Sequence, residues 1–227
     1  SNDLSRGIDR NTLPVMEKVW GLDAVVKNQS TSIYGNITGL TEGAKDQLYA
    51  CTDDGLTYVT NDDGATWTKM SEVFPNGPAA AKNGAGYPFA SMIQAGRGAN
   101  SVYVVLDHHR FGDFQPYIYK SIDNGKNWTK ITKGLPENGP VKCILEDDLD
   151  SDILLVGTEF GFYISINGGQ TFINWQGGMP PVPIKDIVHQ VEQDDIVLAT
   201  FGRGFAVCDD YDRIREFKAT INAIETF

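Results

Sequence analysis

The sequence has little cysteine, little histidine, no long apolar run and a shortage of positive charge, and each lack narrows what the chain does. Cys51, Cys143 and Cys208 are scattered, with no pair at metal-ligand spacing. Each lies in an apolar, strand-like run (LYAC, VKCIL, FAVC), which reads as a buried free thiol. One disulfide with a thiol left over is the alternative. Nineteen Lys and Arg face 30 Asp and Glu, a net charge of −11; such a surface repels phosphate backbones and argues against nucleic acid as a partner. No run reaches the roughly 20 apolar residues of a membrane helix, so no membrane insertion is expected. The chain begins Ser1-Asn2-Asp3, with neither Met nor a signal peptide. That reads as a trimmed or tagged start and says little of the compartment. No nucleophile elbow, phosphate loop or zinc motif occurs, so neither a cofactor nor a metal is expected.

What is present is glycine, aromatics and a repeat. With 227 residues and 24 glycines, the chain suits one sizeable core or a short repeat array, and its Gly-rich turns between aromatic strands lean to all-β. An octapeptide occurs three times, as Thr60–Trp67 (TNDDGATW), Ser121–Trp128 (SIDNGKNW) and Ser165–Phe172 (SINGGQTF). The pattern is Ser/Thr-x-Asp/Asn-x-Gly-x-x-Trp/Phe, recurring after 61 and then 44 residues, against roughly 40–50 for propeller blades. A strand ends at the hydroxyl residue, and Asp62, Asp123 or Asn167 folds back onto turn amides. Gly64, Gly125 or Gly169 supplies the unusual backbone angle. Trp67, Trp128 or Phe172 opens the next strand and buries its ring. Asn167 and Phe172 make the third turn the expected weakest.

The flanks repeat with the box. Leu48–Thr52 turns through Asp53-Asp54-Gly55 into Leu56–Thr60; Leu154–Thr158 and Ile196–Thr200 lead into similar tight turns. Val102–Leu106 reaches Tyr117–Ser121 across the longer loop Asp107–Pro116. A further short apolar run precedes each unit. Four units follow, each of strands A, B, C and D with the box at the C–D turn: about 36–70, 88–132, 140–176 and 183–218. Residues 1–35 are an N-terminal extension or closing segment. The fourth unit has no box after Cys208; its last strand is Arg213–Lys218 or comes from elsewhere. No long helix is expected, only a helical turn or two at Val15–Asp23.

At these residues the chain resembles the Asp-box (BNR-repeat) β-propeller superfamily, which includes sialidases and sortilin-type propellers. It is closer to large secreted bacterial proteins labelled sortilin-like or "glycosyl hydrolase". The phrases Ser32–Asn36, Leu154–Gly161 and Gly202–Asp210 resemble their C-terminal blades, and the resemblance covers about 13–210. It implies that the boxes are structural, that the native propeller has more than four blades, and that the protein is extracellular or periplasmic. A partial array leaves raw strand edges. Closure by the N-terminal segment, self-association, or pairing with the rest of a larger propeller is therefore expected.

Propeller topology puts the A–B and C–D turns on one face, and the B–C turns and D–A links on the other, where propellers usually bind. That second face collects Asp53, Asp54, Asp107, His108, His109, Arg110, Asp113, Glu159 and Arg203. Asp107, His108, His109, Arg110, Glu159 and Arg203 are the candidate ligand-binding residues, for a protein, peptide or carbohydrate. The plain alternative is a solvated loop with local salt bridges. The carboxylate run Glu146–Asp152 has oxygen ligands of the kind Ca²⁺ takes but not the EF-hand pattern, and reads as a solvated A–B turn. Asn28, Asn36 and Asn127 begin glycosylation sequons, read as chance. A glycoside hydrolase is the alternative to a non-catalytic binder. Its chemistry needs two carboxyl groups across the scissile bond, for which Asp107 and Glu159 are the candidates. Among the seven arginines only Arg110 and Arg203 fall on the candidate face, so a sialidase-type arginine triad is hard to build.

Overall fold

The computed structural model describes residues 4–7, 14–15, 18–19, 35–78, 87–175 and 177–225. The chain divides into two compact units, Ser1–Lys130 and Ile131–Phe227, and the described residues are all-β except for one C-terminal helix and a single 3-10 turn.

Unit one begins with a two-residue pair, β1 (Pro14–Val15) with β2 (Lys18–Val19). The helical turn expected over Val15–Asp23 is therefore not formed at Lys18–Val19, which is extended; its remaining residues after Val15 lie outside those described. Two four-stranded antiparallel meanders follow. The first comprises β3 (Ile37–Glu42), β4 (Leu48–Thr52), β5 (Thr57–Thr60) and β6 (Thr68–Lys69). The second comprises β7 (Phe89–Ala95), β8 (Val102–Asp107), β9 (Ile118–Ser121) and β10 (Thr129–Lys130). All six residues of β8 are buried. That fits the unbroken apolar run VYVVL of its first five residues, since a strand covered on both faces has no need of alternation. The two sheets pack face to face: Tyr49, Cys51 and Val59 of the first meet Ala90, Ile93, Val104 and Tyr119 of the second in one core. Gly39 marks the closest approach. A side chain there would meet Cys51 Sγ at 2.9 Å and the Ile93 amide at 3.0 Å.

Unit two repeats the plan with β11 (Val141–Glu146), β12 (Leu154–Thr158), β13 (Gly161–Ser165) and β14 (Ile173–Asn174). Then come β15 (Ile184–Gln190), β16 (Asp195–Thr200) and β17 (Phe205–Cys208). Every residue of β12 and β13 is buried. Gly157 lets β12 meet β15, because a Cβ would lie 2.5 Å from Cys143 Sγ and 2.8 Å from Ile184. The first strand of all four blades carries the same irregularity, a register shift at Ile37/Gly39, Ala90/Met92, Val141/Cys143 and Ile184/Asp186. Such bulges bend a strand and raise its twist, and their recurrence shows one repeated unit. Cys51 and Cys143 are buried free thiols and Cys208 is a half-buried one. Burial pushes the Cys51 and Cys143 thiols up to about 12, so both are inert as nucleophiles.

The fourth blade departs from the expectation of a strand at Arg213–Lys218. Those residues belong to α1 (Asp212–Glu225), and among the described residues β17 is the last strand of the sheet. Tyr211, Ile214 and Lys218 are buried while Arg213, Glu216 and Phe217 are exposed. This is a spacing of three to four residues that a strand cannot present on one face. The seat of α1 is the acidic run read as a solvated turn. Arg215 grips Asp147 through Nε at 3.1 Å and Nη2 at 2.7 Å and reaches Asp194 at 2.8 Å. Lys218 bonds Asp150 at 2.7 Å and Asp152 at 2.9 Å. Asp147 is buried; burial raises its pKa, and Arg215 with the Leu149 and Asp150 amides reverses that and holds it low. The helix therefore neutralises a carboxylate cluster that would otherwise repel itself.

Candidate functional site

Within each blade the turns sort to two ends. The residue after the box Asp or Asn donates its amide to an A–B turn carbonyl: Asp63 to Asp46 at 3.0 Å, Asn124 to Asn100 at 3.0 Å, Gly168 to Asp152 at 2.8 Å. Tyr211 does the same to Asp194 at 3.0 Å in the fourth blade, so a remnant of the box turn survives there and leads into α1. At the opposite end, the B–C turn bonds the link that enters the blade. Asp53 donates to Asn36, Glu159 to Pro140 and Phe201 to Pro183, at 3.0, 3.0 and 2.9 Å.

The box turns share one geometry. Thr60, Ser121 and Ser165 hydroxyls donate to Asp62, Asp123 and Asn167 at 2.6, 2.8 and 2.9 Å. The same hydroxyls accept the amides of Gly64, Gly125 and Gly169 at 3.0, 2.8 and 3.0 Å. Asp62 and Asp123 also accept the amides of Thr66 and Asn127, at 2.8 and 2.9 Å. These bonds hold both carboxyls down at about 2, with the Thr60 hydroxyl leading for Asp62 and the Asn127 side chain for Asp123. In the third turn Asn167 turns its amide nitrogen to Thr171 Oγ1 at 2.9 Å, so the circuit closes without a charge. Trp128 and Phe172 are buried, and Trp128 also donates to the Ser71 carbonyl at 3.0 Å. Trp67 corrects the expectation of a buried ring: it is only half-buried.

The binding candidates fall in both units. In unit one, the Asp107–Pro116 loop folds on itself. Asp107 Oδ1 lies 2.9 Å from the His109 amide and 2.6 Å from His109 Nδ1, fixing the start of a single 3-10 turn, His109–Phe111. His108 is buried and stacks on Phe111 at 4.7 Å, and Arg110 lies 5.4 Å above the Phe89 ring. Asp113 accepts from the Tyr117 hydroxyl at 2.7 Å. Only His109 and Arg110 of the proposed set present an exposed surface here. Asp53 and Asp54 are buried turn clamps; Asp53 accepts the amides of Gly35 and Asn36 at 2.7 and 3.0 Å.

In unit two, Glu159 stands between two cations, Lys142 at 3.3 Å and Lys185 at 3.8 Å, and Arg203 is exposed. Beside Glu159 lies a feature absent from the candidate set. Phe160, Phe162, Asn174, Trp175, Met179 and Pro180 line an open cleft of about 520 Å³. It is built from the B–C turn, β14 and the D–A link of the third blade. Phe160 is 50% and Trp175 37% exposed, which leaves two aromatic faces free for a ligand. Its signal in the sequence is the string Trp175…Met179-Pro180-Pro181, an aromatic followed by a Pro-rich link.

Neither a protein-family model nor a curated protein matches the sequence. Solved structures match by fold. The GH74 enzyme of Niastella koreensis shares 19% identity over 78% of this chain, with a TM-score of 0.53. YCF48 from Cyanidioschyzon merolae shares 16% over 76%, with 0.51, and the Cps50 (Swd1) β-propeller domain of Myceliophteria thermophila 10% over 77%, with 0.52. This chain spans 23%, 52% and 52% of those chains respectively. The fold is that of β-propeller blades.

Proposed function

We propose that this chain is a non-catalytic Asp-box β-propeller domain, related to BNR-repeat sortilin-like proteins, that binds a protein, peptide or glycan ligand. The observation that carries the reading is the aromatic cleft of the third blade. Soluble domains seldom leave large apolar side chains grouped and exposed without a use. Flat aromatic faces beside a few polar groups suit a sugar ring or a proline-containing segment. Phe160 and Trp175 supply the faces, Asn174 a polar contact, and Lys142, Lys185 and Glu159 a charged rim. Loops on a rigid scaffold are where binding residues gather. Arg203 in unit two, and His109 and Arg110 in unit one, remain proposed contacts for ligand at the same end of their own blades, with buried Asp107 and His108 holding the loop that presents the latter two. The edge that β17 presents among the described residues suits pairing with a further blade or a second copy, and the sortilin-like resemblance supports an extracellular or periplasmic location.

The test is a panel of soluble polysaccharides and proline-rich peptides, with Trp175→Ala and Phe160→Ala beside the unaltered chain. Binding lost in both variants, with melting unchanged, is the expected outcome; an affinity indifferent to both contradicts the cleft.

A glycoside hydrolase is the second reading, favoured by one observation: Glu159 directly precedes Phe160 of the cleft. Turnover of an aryl-glycoside or polysaccharide that Glu159→Gln abolishes would establish it.

A further inference from the structure

Unit one holds a second built site, at the B–C turn of its first blade, and this chain already fills it with an arginine. Arg6 donates its main-chain amide to Asp54 Oδ2 at 2.6 Å and its Nε to the Asp54 carbonyl at 2.9 Å. Its Nη2 forms an ion pair with Glu72, and its guanidinium carbon sits 4.0 Å over the Tyr87 ring. The residue is thus read three ways at once: as a main-chain donor, as a planar fork and as a stacking cation.

The receiving groups are held in place by contacts that do not involve Arg6. Asp54 is fully buried, and its other oxygen accepts from Thr52 Oγ1 at 2.5 Å. Glu72 is bonded by Lys69 at 2.7 Å. Gly55, at φ +79°, brings the turn against the link before β7; a Cβ there would lie 2.4 Å from the Pro88 carbonyl oxygen. About 240 Å³ of open recess remains beside Arg6, between Glu72, Phe74, Pro78 and Tyr87. The occupant belongs to the segment 4–7, 48 residues before the Asp54 it meets.

We infer that the Asp54–Glu72–Tyr87 cradle is a receptor for an arginine residue in a peptide segment, and that the segment around Arg6 is its intramolecular occupant. An arginine-bearing segment of a partner protein takes the same place when that occupant leaves. The chemistry discriminates: a lysine ammonium is a point charge that lacks the planar fork needed to reach the Asp54 carbonyl and Glu72 together while stacking on Tyr87. Covalent connection explains why the site is closed at rest, since an occupant on the same chain binds as an intramolecular ligand. The site is separate from the third-blade cleft, and neither depends on the other.

The experiment uses the full chain carrying Arg6→Ala and a fluorescent peptide copying residues 2–8. The expected result is saturable binding to Arg6→Ala at least tenfold tighter than to the unaltered chain. A further tenfold loss is expected when the peptide carries Lys in place of Arg, or when Glu72→Gln is added. Equal binding to both chains, no binding to a folded Arg6→Ala chain, or indifference to the Lys peptide overturns the inference. Should Arg6→Ala fail to fold, tryptic cleavage after Arg6 serves in the Glu72→Gln and Tyr87→Leu chains. Cleavage at least tenfold faster supports the cradle, and an unchanged rate overturns it.

Discussion

Tyr49 donates its hydroxyl to Asn124 Oδ1 across 2.7 Å, so the second strand of the first blade is tied to the box turn of the second. Gln47 Nε2 shares the same oxygen at 3.1 Å, and Asn124 Nδ2 continues the network to Asn100 at 2.8 Å. Tyr49 is fully buried, and burial raises its phenol to about 12, so it acts here as a neutral donor. The position after the box Asp is therefore used twice: Asn124 provides the left-handed turn at φ +59° and the inter-blade acceptor. Asn124→Gly keeps the turn and loses the acceptor, leaving a buried hydroxyl without its partner. A destabilisation of about 1–3 kcal/mol is expected from urea unfolding. Tyr49→Phe removes donor and demand together and costs less, about 1 kcal/mol.

Acid should open the charged turns before the uncharged one. Asp62 and Asp123 have pKa values lowered to about 2 from 3.8. A carboxyl depressed by folding stabilises above its unfolded pKa, and the contribution fades as pH falls from about 4 through 2. Replacing both by Asn, as the third turn does naturally, should lower the melting temperature at pH 7. The gap from the unaltered chain should close between pH 4 and 2. A gap that is constant with pH would remove the charge from the account.

The two buried box aromatics, Trp128 and Phe172, should outweigh half-buried Trp67, and the larger ring with its hydrogen bond should lead. Trp128→Ala empties a buried site and strands the Ser71 carbonyl, a loss of about 3–5 kcal/mol. Phe172→Ala falls in the lower part of that range, and half-buried Trp67 costs least. Equilibrium denaturation of the three variants gives the order directly.

Helix α1 should detach when its cations are removed. Arg215→Gln leaves the buried Asp147 charge without its partner, which costs about 3–5 kcal/mol when a buried pair is broken on one side. Loss of helical circular dichroism and rapid proteolysis within 212–225 are the expected readouts. Arg215→Gln combined with Asp147→Asn should recover part of the loss.

Much of the fold was legible because the box forces it. Asp62, Gly64 and their counterparts specify one turn, and a turn at fixed spacing specifies the meander around it. Each first, second and third strand lies where its apolar run indicated. The last blade departs from its expected strand at Arg213–Lys218 because that stretch has a helical period. Tyr211, Ile214 and Lys218 carry the helical period, and 212–225 contains no Gly or Pro. The run Glu146–Asp152 looked solvated because its counter-charges, Arg215 and Lys218, lie more than 60 residues away. The candidate site was less legible still. Charged residues draw attention in a sequence, yet Asp53, Asp54 and Asp107 are spent on turns, whereas Phe160 and Trp175 carry no charge to mark them. Only three-dimensional exposure separates an aromatic that packs from one that waits for a ligand.

The central claim is that this chain binds through the third-blade cleft and does not turn its ligand over. The most direct measurement takes one ligand found by the panel and records affinity and turnover for the unaltered chain, Trp175→Ala and Glu159→Gln. The account predicts at least a tenfold loss of affinity in Trp175→Ala, about 1.4 kcal/mol, and no product from any of the three. Product formed by the unaltered chain and abolished in Glu159→Gln would contradict it.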